Sequence, residues 1–228
     1  MCEIAIQKLA GTTVNWLSIL FKRSMNKFNL IVAEGHWEDY SNQTVKSLFD
    51  LLSDLLKSNG HAYKYVQFAD PKGFVSCIDH IYDSDEHQYL YIGSHGDHDG
   101  IYGSSSAKPL DVSEIKANLH EFAGLYLGTC QFGTPENLID FVDDSKLIWC
   151  AGYKNSVDWV DSSALDMAFW KIFLRYSLQR GQRTELTIIE RTIAELRSKY
   201  SSLILDLGFN VAFPHKDEDG EWSIQTAF

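Results

Sequence analysis

Residues 89–103, YLYIGSHGDHDGIYG, decide how the chain is read. An apolar run ends abruptly at Ser94, His95 and Gly96, and a turn rich in Asp and Gly follows. A short apolar run closed by glycine reads as a strand buried on both faces, as in a parallel sheet. A second stretch echoes it: AGLYLGTCQFG, residues 123–133, is another apolar run that ends in a small-residue turn, and it carries Cys130. Two such strands, each delivering one reactive side chain at its C-terminal end, put a site on one edge of a parallel sheet. Open α/β folds gather their chemistry there.

The flanking sequence extends the same alternation. NLIVAEG, residues 29–35, reads as a first buried strand. A helix beginning near Ser41 follows, with Val45, Leu48, Phe49, Leu52, Leu55 and Leu56 on one face and Asn59 and Gly60 at its end. AYKYVQFAD, residues 62–70, is a second strand, and Pro71 opens a helix to about Tyr82. QYLYIGS, residues 88–94, is the third strand, GIYGSSSAKPL a small hairpin or extended loop, and DVSEIKANLHEF a short helix capped by Asp111. After the fourth strand and Cys130 come a helix in PENLIDFV and a fifth strand in KLIWCAGY. The polar loop NSVDWVDSS leads to a helix capped by Ser162 or Ser163, with Leu165, Phe169, Ile172, Phe173 and Tyr176 turned inward. A last helix, TELTIIERTIAELRSKY, precedes an expected strand pair, SLILDLG and NVAFPH, and an acidic solvated tail. The pattern predicts one α/β domain over residues 28–228, preceded by an arm or helix over 1–27.

Composition narrows the function. The chain has 228 residues, 45% of them hydrophobic, which suits a globular domain with a sizeable core. Its net charge of −11 argues against nucleic acid and anionic membranes, which need a basic surface. VNWLSILF is too short to span a membrane and lacks the order of a signal peptide, so a cytoplasmic protein is the default. Cys2, Cys77, Cys130 and Cys150 show no CxxC pair and read as thiols. Cys77 falls in a helix and Cys150 in a buried strand; Cys130 alone sits at a strand-to-turn junction.

A thiol with an ordinary pKa of roughly 8.5 is mostly protonated at neutral pH and needs a base beside it to become a nucleophile. If the third and fourth strands are neighbours, His95 can supply that base and later protonate a leaving amine. Backbone N–H groups at Gly96 and Cys130 can then form an oxyanion hole, each donor contributing roughly 3–4 kcal/mol in the transition state.

SHGDHDGIYG resembles the His-Gly block of caspase-like (clan CD) cysteine peptidases, and LYLGTCQFG resembles their block of the nucleophilic cysteine. The order of the blocks, with a helix between, is also similar. The resemblance is nearer to bacterial CHAT-domain and metacaspase-like enzymes than to animal caspases, whose Gln-Ala-Cys-Arg-Gly pattern is replaced by Gly128, Thr129, Cys130, Gln131 and Phe132. It implies a three-layer α/β/α sandwich with a mostly parallel sheet, and peptide-bond hydrolysis with His95 as acid-base and Cys130 as nucleophile. It further implies protein or peptide substrates, and effector roles in bacterial signalling or anti-phage defence under a regulatory or sensor partner. No cofactor is called for. In basic-specific members, acidic residues after the strand that follows the cysteine strand line the specificity pocket. Asp158 and Asp161 hold a similar place, with Trp159 as a wall and Glu34 as a further candidate, so cleavage after Arg or Lys is expected. Asp161 can equally flank the next helix as a cap.

Other readings compete. His95, Asp97, His98 and Asp99 are possible metal ligands, although HGDHDG departs from the HxHxDH spacing of metallo-β-lactamase-like enzymes and only His120 and His215 lie downstream. Glutamine amidotransferases also use Cys and His, with the nucleophile first. A non-catalytic caspase-like scaffold or sensor-partner module is the alternative from another class.

Overall fold

The computed structural model describes residues 28–37, 43–57, 62–81, 87–104, 107–119, 122–179 and 184–228. The expected arm over 1–27, the helix start at Ser41 and its end at Asn59 and Gly60 lie outside them, as do Cys2 and His120.

Seven strands form one sheet: β1 (Phe28–Gly35), β2 (Ala62–Phe68), β3 (His87–Gly93), β6 (Gly124–Gly128), β7 (Trp149–Tyr153), β8 (Phe209–Lys216) and β9 (Trp222–Thr226). Two-residue strands β4 (His95–Gly96) and β5 (Ile101–Tyr102) pair as a separate hairpin. The order across the sheet is β2-β1-β3-β6-β7-β8-β9; the first five are parallel, and β8 and β9 add antiparallel. The helices are α1 (Lys46–Lys57), α2 (Pro71–Ile81), α3 (Val112–Lys116), α4 (Pro135–Val142), α5 (Trp159–Ser177) and α6 (Glu185–Leu207).

Side-chain alternation divides the core into two layers. Leu30, Val32, Tyr89, Tyr91, Tyr126, Trp149 and Tyr153 face one way, onto Phe49 of α1, Phe169 and Phe173 of α5, and Ile189 of α6. Ile31, Ala33, Leu90, Ile92, Leu125 and Cys150 face the other, onto Phe74 of α2, Ile115 of α3 and Leu138 of α4. A strand buried on both faces shows little polar alternation, which is why these strands read as continuous apolar runs. The result is a three-layer α/β/α sandwich with a mostly parallel sheet.

Two expectations are corrected. SLILDLG is the end of α6 and not a strand: Ile204 and Leu207 are buried three residues apart while Leu205 is 71% exposed, a helical period. Gly208, at φ 60°, closes that helix in the left-handed conformation. The expected helix end at Tyr200 is a kink, with φ −130° and ψ 23°. β8 consequently pairs with β7 and with β9, which takes up the last residues of the expected tail. The second correction is the cap of α5, which is Asp158 and not Ser162 or Ser163.

From β1 the chain steps to β2 on one side and returns to β3 on the other. That reversal opens a crevice at the C-terminal ends of β1 and β3, where ligands bind in folds of this kind.

Candidate active site

Parallel register aligns the two blocks. Gly93 of β3 is opposite Gly128 of β6, so His95 and Cys130 each lie two residues past a paired glycine. Their loops touch: a Cβ added at Gly96 would come 2.8 Å from the Cys130 carbonyl oxygen and 3.0 Å from Thr129 Cβ. Only glycine permits this approach.

The His95 loop is a tight hairpin. The Asp97 carboxylate accepts from the Asp99 and Gly100 amides at 2.8 and 3.2 Å and from the Tyr102 hydroxyl at 2.6 Å. These bonds, that from Tyr102 foremost, hold the Asp97 carboxyl below its ordinary range. Asp97 is thereby a turn-former rather than a metal ligand. Among the described residues no group of three or more His, Cys, Asp or Glu is arranged to hold a metal ion.

The Cys130 loop is pinned to the exit of β7. Gln131 N–H donates to Asn155 O at 3.0 Å and Gly133 N–H to Tyr153 O at 2.9 Å. Phe132 N–H turns back onto Cys130 O at 2.7 Å, forming a three-residue γ-turn around Gln131, whose φ is 61°. A non-glycine residue in this region carries strain, which folds tend to store at functional sites. Sγ of Cys130 donates to Val157 O at 3.7 Å and accepts from Val157 N–H at 3.4 Å.

His95 is bonded elsewhere. Its Nε2 lies 2.7 Å from the backbone carbonyl of Trp37, and its ring meets the Trp37 indole edge-on at 5.2 Å. Trp37 also packs edge-on against Trp159 at 4.9 Å. The exit of β1 is held close by Gly35, where a Cβ would lie 2.8 Å from Ser94 Cβ, and by His36 N–H donating to Gly103 O at 2.6 Å.

The expected specificity residues separate. Trp159 reaches the cleft. Asp158 is exposed and spends its carboxylate on the N-terminus of α5, accepting from the Val160 and Asp161 amides at 2.9 and 3.0 Å. Those bonds lower its pKa, while the Asp158 charge raises that of the exposed Asp161. Glu34 is buried and takes no part in the open cleft: its carboxylate accepts from Trp37 Nε1 at 2.5 Å, Thr44 Oγ1 and Val45 N–H at 2.7 Å, and the Tyr65 hydroxyl. Its place is to hold Trp37.

Asp166 of α5 was not singled out by sequence. It is buried and accepts from Tyr91 at 2.6 Å, Tyr126 at 2.6 Å and Tyr153 at 2.5 Å. Burial pushes its carboxyl upward, and the hydrogen bonds from Tyr126, Tyr153 and Tyr91 act against that. The available signal was an acid on the inward stripe of an otherwise apolar helix, between Leu165 and Phe169.

Sheet order, flanking helix layers and the two loops at the C-terminal edge define a caspase-like fold. Its likeness to solved structures is one of fold: caspase-1 from Spodoptera frugiperda aligns with a TM-score of 0.51 at 12% identity, over 86% of this chain and 85% of that one. A secreted C11 cysteine protease from Bacteroides thetaiotaomicron gives 0.48 at 10% identity, and the complex of Porphyromonas gingivalis RgpB pro- and mature domains 0.48 at 11%. The chain covers 66% and 48% of those two chains. No protein-family model and no curated protein matches it.

Proposed function

We propose that the protein is a clan CD cysteine endopeptidase with His95 and Cys130 as its dyad. The observation that carries this is the contact between their loops, with the Gly96 backbone against the Cys130 carbonyl. Cys130 attacks the scissile carbonyl carbon as a thiolate, its proton passing to His95; His95 then protonates the leaving amine, and water hydrolyses the acyl-enzyme. The Gly96 and Cys130 amides serve the developing oxyanion. In support, the Cys130 N–H donates to no acceptor among the described residues.

Among the described residues the two side chains are bonded to Trp37 and Val157 rather than to each other, so the proton transfer runs through the other ring nitrogen, Nδ1, once the two meet, which favours a latent enzyme. A regulatory partner, ligand or self-association that moves Trp37 would switch it on. A non-catalytic scaffold is the second reading, favoured by the same disengaged pair. Cleavage after Arg or Lys belongs to this proposal and is supported by the net charge of −11; Asp158 and Asp161 are exposed at the start of α5, outside the cavity that Cys130 and Trp159 line. Kinship with CHAT-domain and metacaspase-like enzymes, cytoplasmic residence and an effector role in bacterial signalling or anti-phage defence belong to the same proposal and rest on the two sequence blocks. No helix among the described residues is long and apolar enough to cross a membrane.

The test is a panel of fluorogenic peptides together with a peptidyl electrophile. Hydrolysis and labelling are expected to vanish in Cys130→Ala. Full proteolysis by that variant would overturn the assignment.

A further inference from the structure

A cavity of about 50 Å³ has both Cys130 and Asp166 in its wall. Tyr153, Ser162, Ser163 and the half-buried Trp37 and Trp159 line it as well. We propose that Asp166 is the specificity-determining residue of the cleft, its carboxylate receiving the cationic end of a substrate lysine or arginine side chain next to the scissile bond. This inference rests on the peptidase reading of Cys130.

Three features of the cavity point to a cation. The carboxylate is buried with phenolic hydroxyls as its only described hydrogen-bond donors, and among the described residues it forms no ion pair with Lys, Arg or His. A buried acid without a cation is costly and gains most from a charged, hydrogen-bonding partner. Its three donors come from adjacent strands β3, β6 and β7, so the acceptor is fixed in place before any ligand arrives. The lining also suits a side chain that is apolar along its stem and polar at its tip: Val45 and Val157 line the same cavity as the hydroxyls. The resting volume admits a group of one or two water molecules' size, an ammonium rather than a whole side chain. Entry of the stem requires Trp37 and Trp159 to part.

Asp158 and Asp161 are the rival acids. They are exposed at the start of α5, and neither lines this cavity. A solvated carboxylate discriminates charge weakly.

The experiment compares peptides that carry Arg against citrulline, and Lys against norleucine, before the cleaved bond. The wild type is expected to favour the cationic member of each pair by roughly 100-fold, the scale for one partner of a buried charge pair. Asp166→Asn, with its fold checked by circular dichroism, is expected to lose that preference, read as the ratio of kcat/KM for the cationic and neutral peptide of each pair. A folded Asp166→Asn that keeps the preference overturns the inference. So does a wild type that prefers the neutral peptides, although the peptidase reading then stands.

Asp166 ties three strands to α5, so a measurement on the wild type is paired with the variant. A crystal structure of the protein alkylated at Cys130 by a peptidyl-lysine chloromethyl ketone should put the ligand Nζ within hydrogen-bond reach of the Asp166 carboxylate. Nζ on Asp158 or Asp161 would refute the assignment. If no peptide is cleaved and Cys130 resists every peptidyl electrophile, in the wild type and in Trp37→Ala alike, the peptidase reading itself fails, and this inference with it.

Discussion

The Nε2 of His95 lies 2.7 Å from the carbonyl oxygen of Trp37. A carbonyl can only accept, so this nitrogen carries a proton and Nδ1 is the acceptor of the ring. The Trp37 indole is wedged edge-on between the His95 ring and Trp159. One residue thus bonds the His95 ring by its backbone and lines the cavity beside Cys130 by its side chain. Removing the indole in Trp37→Ala should speed labelling of Cys130 by a peptidyl electrophile, by several-fold to about tenfold, since such aromatic pairs contribute about 0.5–1.5 kcal/mol each. Timed mass spectrometry of the labelled protein reads this out. A slower or unchanged rate would remove Trp37 as a gate.

Substituting the proposed dyad should separate chemistry from folding. Cys130→Ala is expected to abolish peptide hydrolysis. His95→Ala should lower kcat/KM by roughly 10²–10⁴-fold, the range for loss of a positioned general base. Cys150 is buried in β7 on the face away from Tyr126 and Tyr153, and burial pushes its thiol pKa up. Cys150→Ala should therefore retain activity at a modest cost in stability, measured by thermal melting alongside the kinetics.

Glu34 makes a different prediction from the one its sequence position invites. Four donors converge on its carboxylate, from Trp37, Thr44, Val45 and Tyr65. Replacing one oxygen by an amide puts a donor against donors, so Glu34→Gln should lower stability by about 1–3 kcal/mol. It should also loosen Trp37 and so accelerate Cys130 labelling in the direction of Trp37→Ala. Stability loss with no change in labelling would show that the Glu34–Trp37 bond does not hold the gate.

The legible parts of this molecule were those coded by neighbours in sequence. Strand runs such as Leu30–Ala33 and Tyr89–Ile92 sit in the sheet, and the glycines that end β3 and β6 mark where its edge lies. The His95 and Cys130 turns could be found because each is a strand end. Trp37 and Asp166 were hidden because their meaning depends on pairings 58 and 75 residues apart in the chain, to His95 and to Tyr91. The C-terminal half of α6 was misread because Leu203, Leu205 and Leu207 mimic a strand's alternation, and burial of Ile204 settles the period only once α6 is packed.

The γ-turn at Gln131 predicts a stability gain from an unlikely place. Its φ of 61° costs a side-chain-bearing residue about 1 kcal/mol or more, and glycine has no such cost. Gln131→Gly should leave the amide bond to Asn155 intact and hold stability level or raise it by up to about 1 kcal/mol, against the usual loss for glycine. A decrease in melting temperature of the size seen for ordinary loop glycines would mean that the turn is not strained.

Glu195 of α6 receives Lys199 at 2.6 Å, the Arg175 guanidinium of α5 and the Tyr176 hydroxyl at 2.8 Å. Hydrogen bonds from Lys199 and then Arg175 are the main causes that lower its pKa from 4.5 to about 2. Because the folded state binds this proton less readily than the unfolded chain, the group's contribution is fully present above pH 4.5. It falls away as the pH drops through about 2. Glu195→Gln should therefore cost about 1 kcal/mol at pH 7, the upper end for a pair near the surface, and progressively less as the pH falls below 4.5. Urea melts of both proteins from pH 7 to pH 3 test this. Curves that stay a constant distance apart over that range would show that Glu195 joins α5 to α6 by packing rather than by charge.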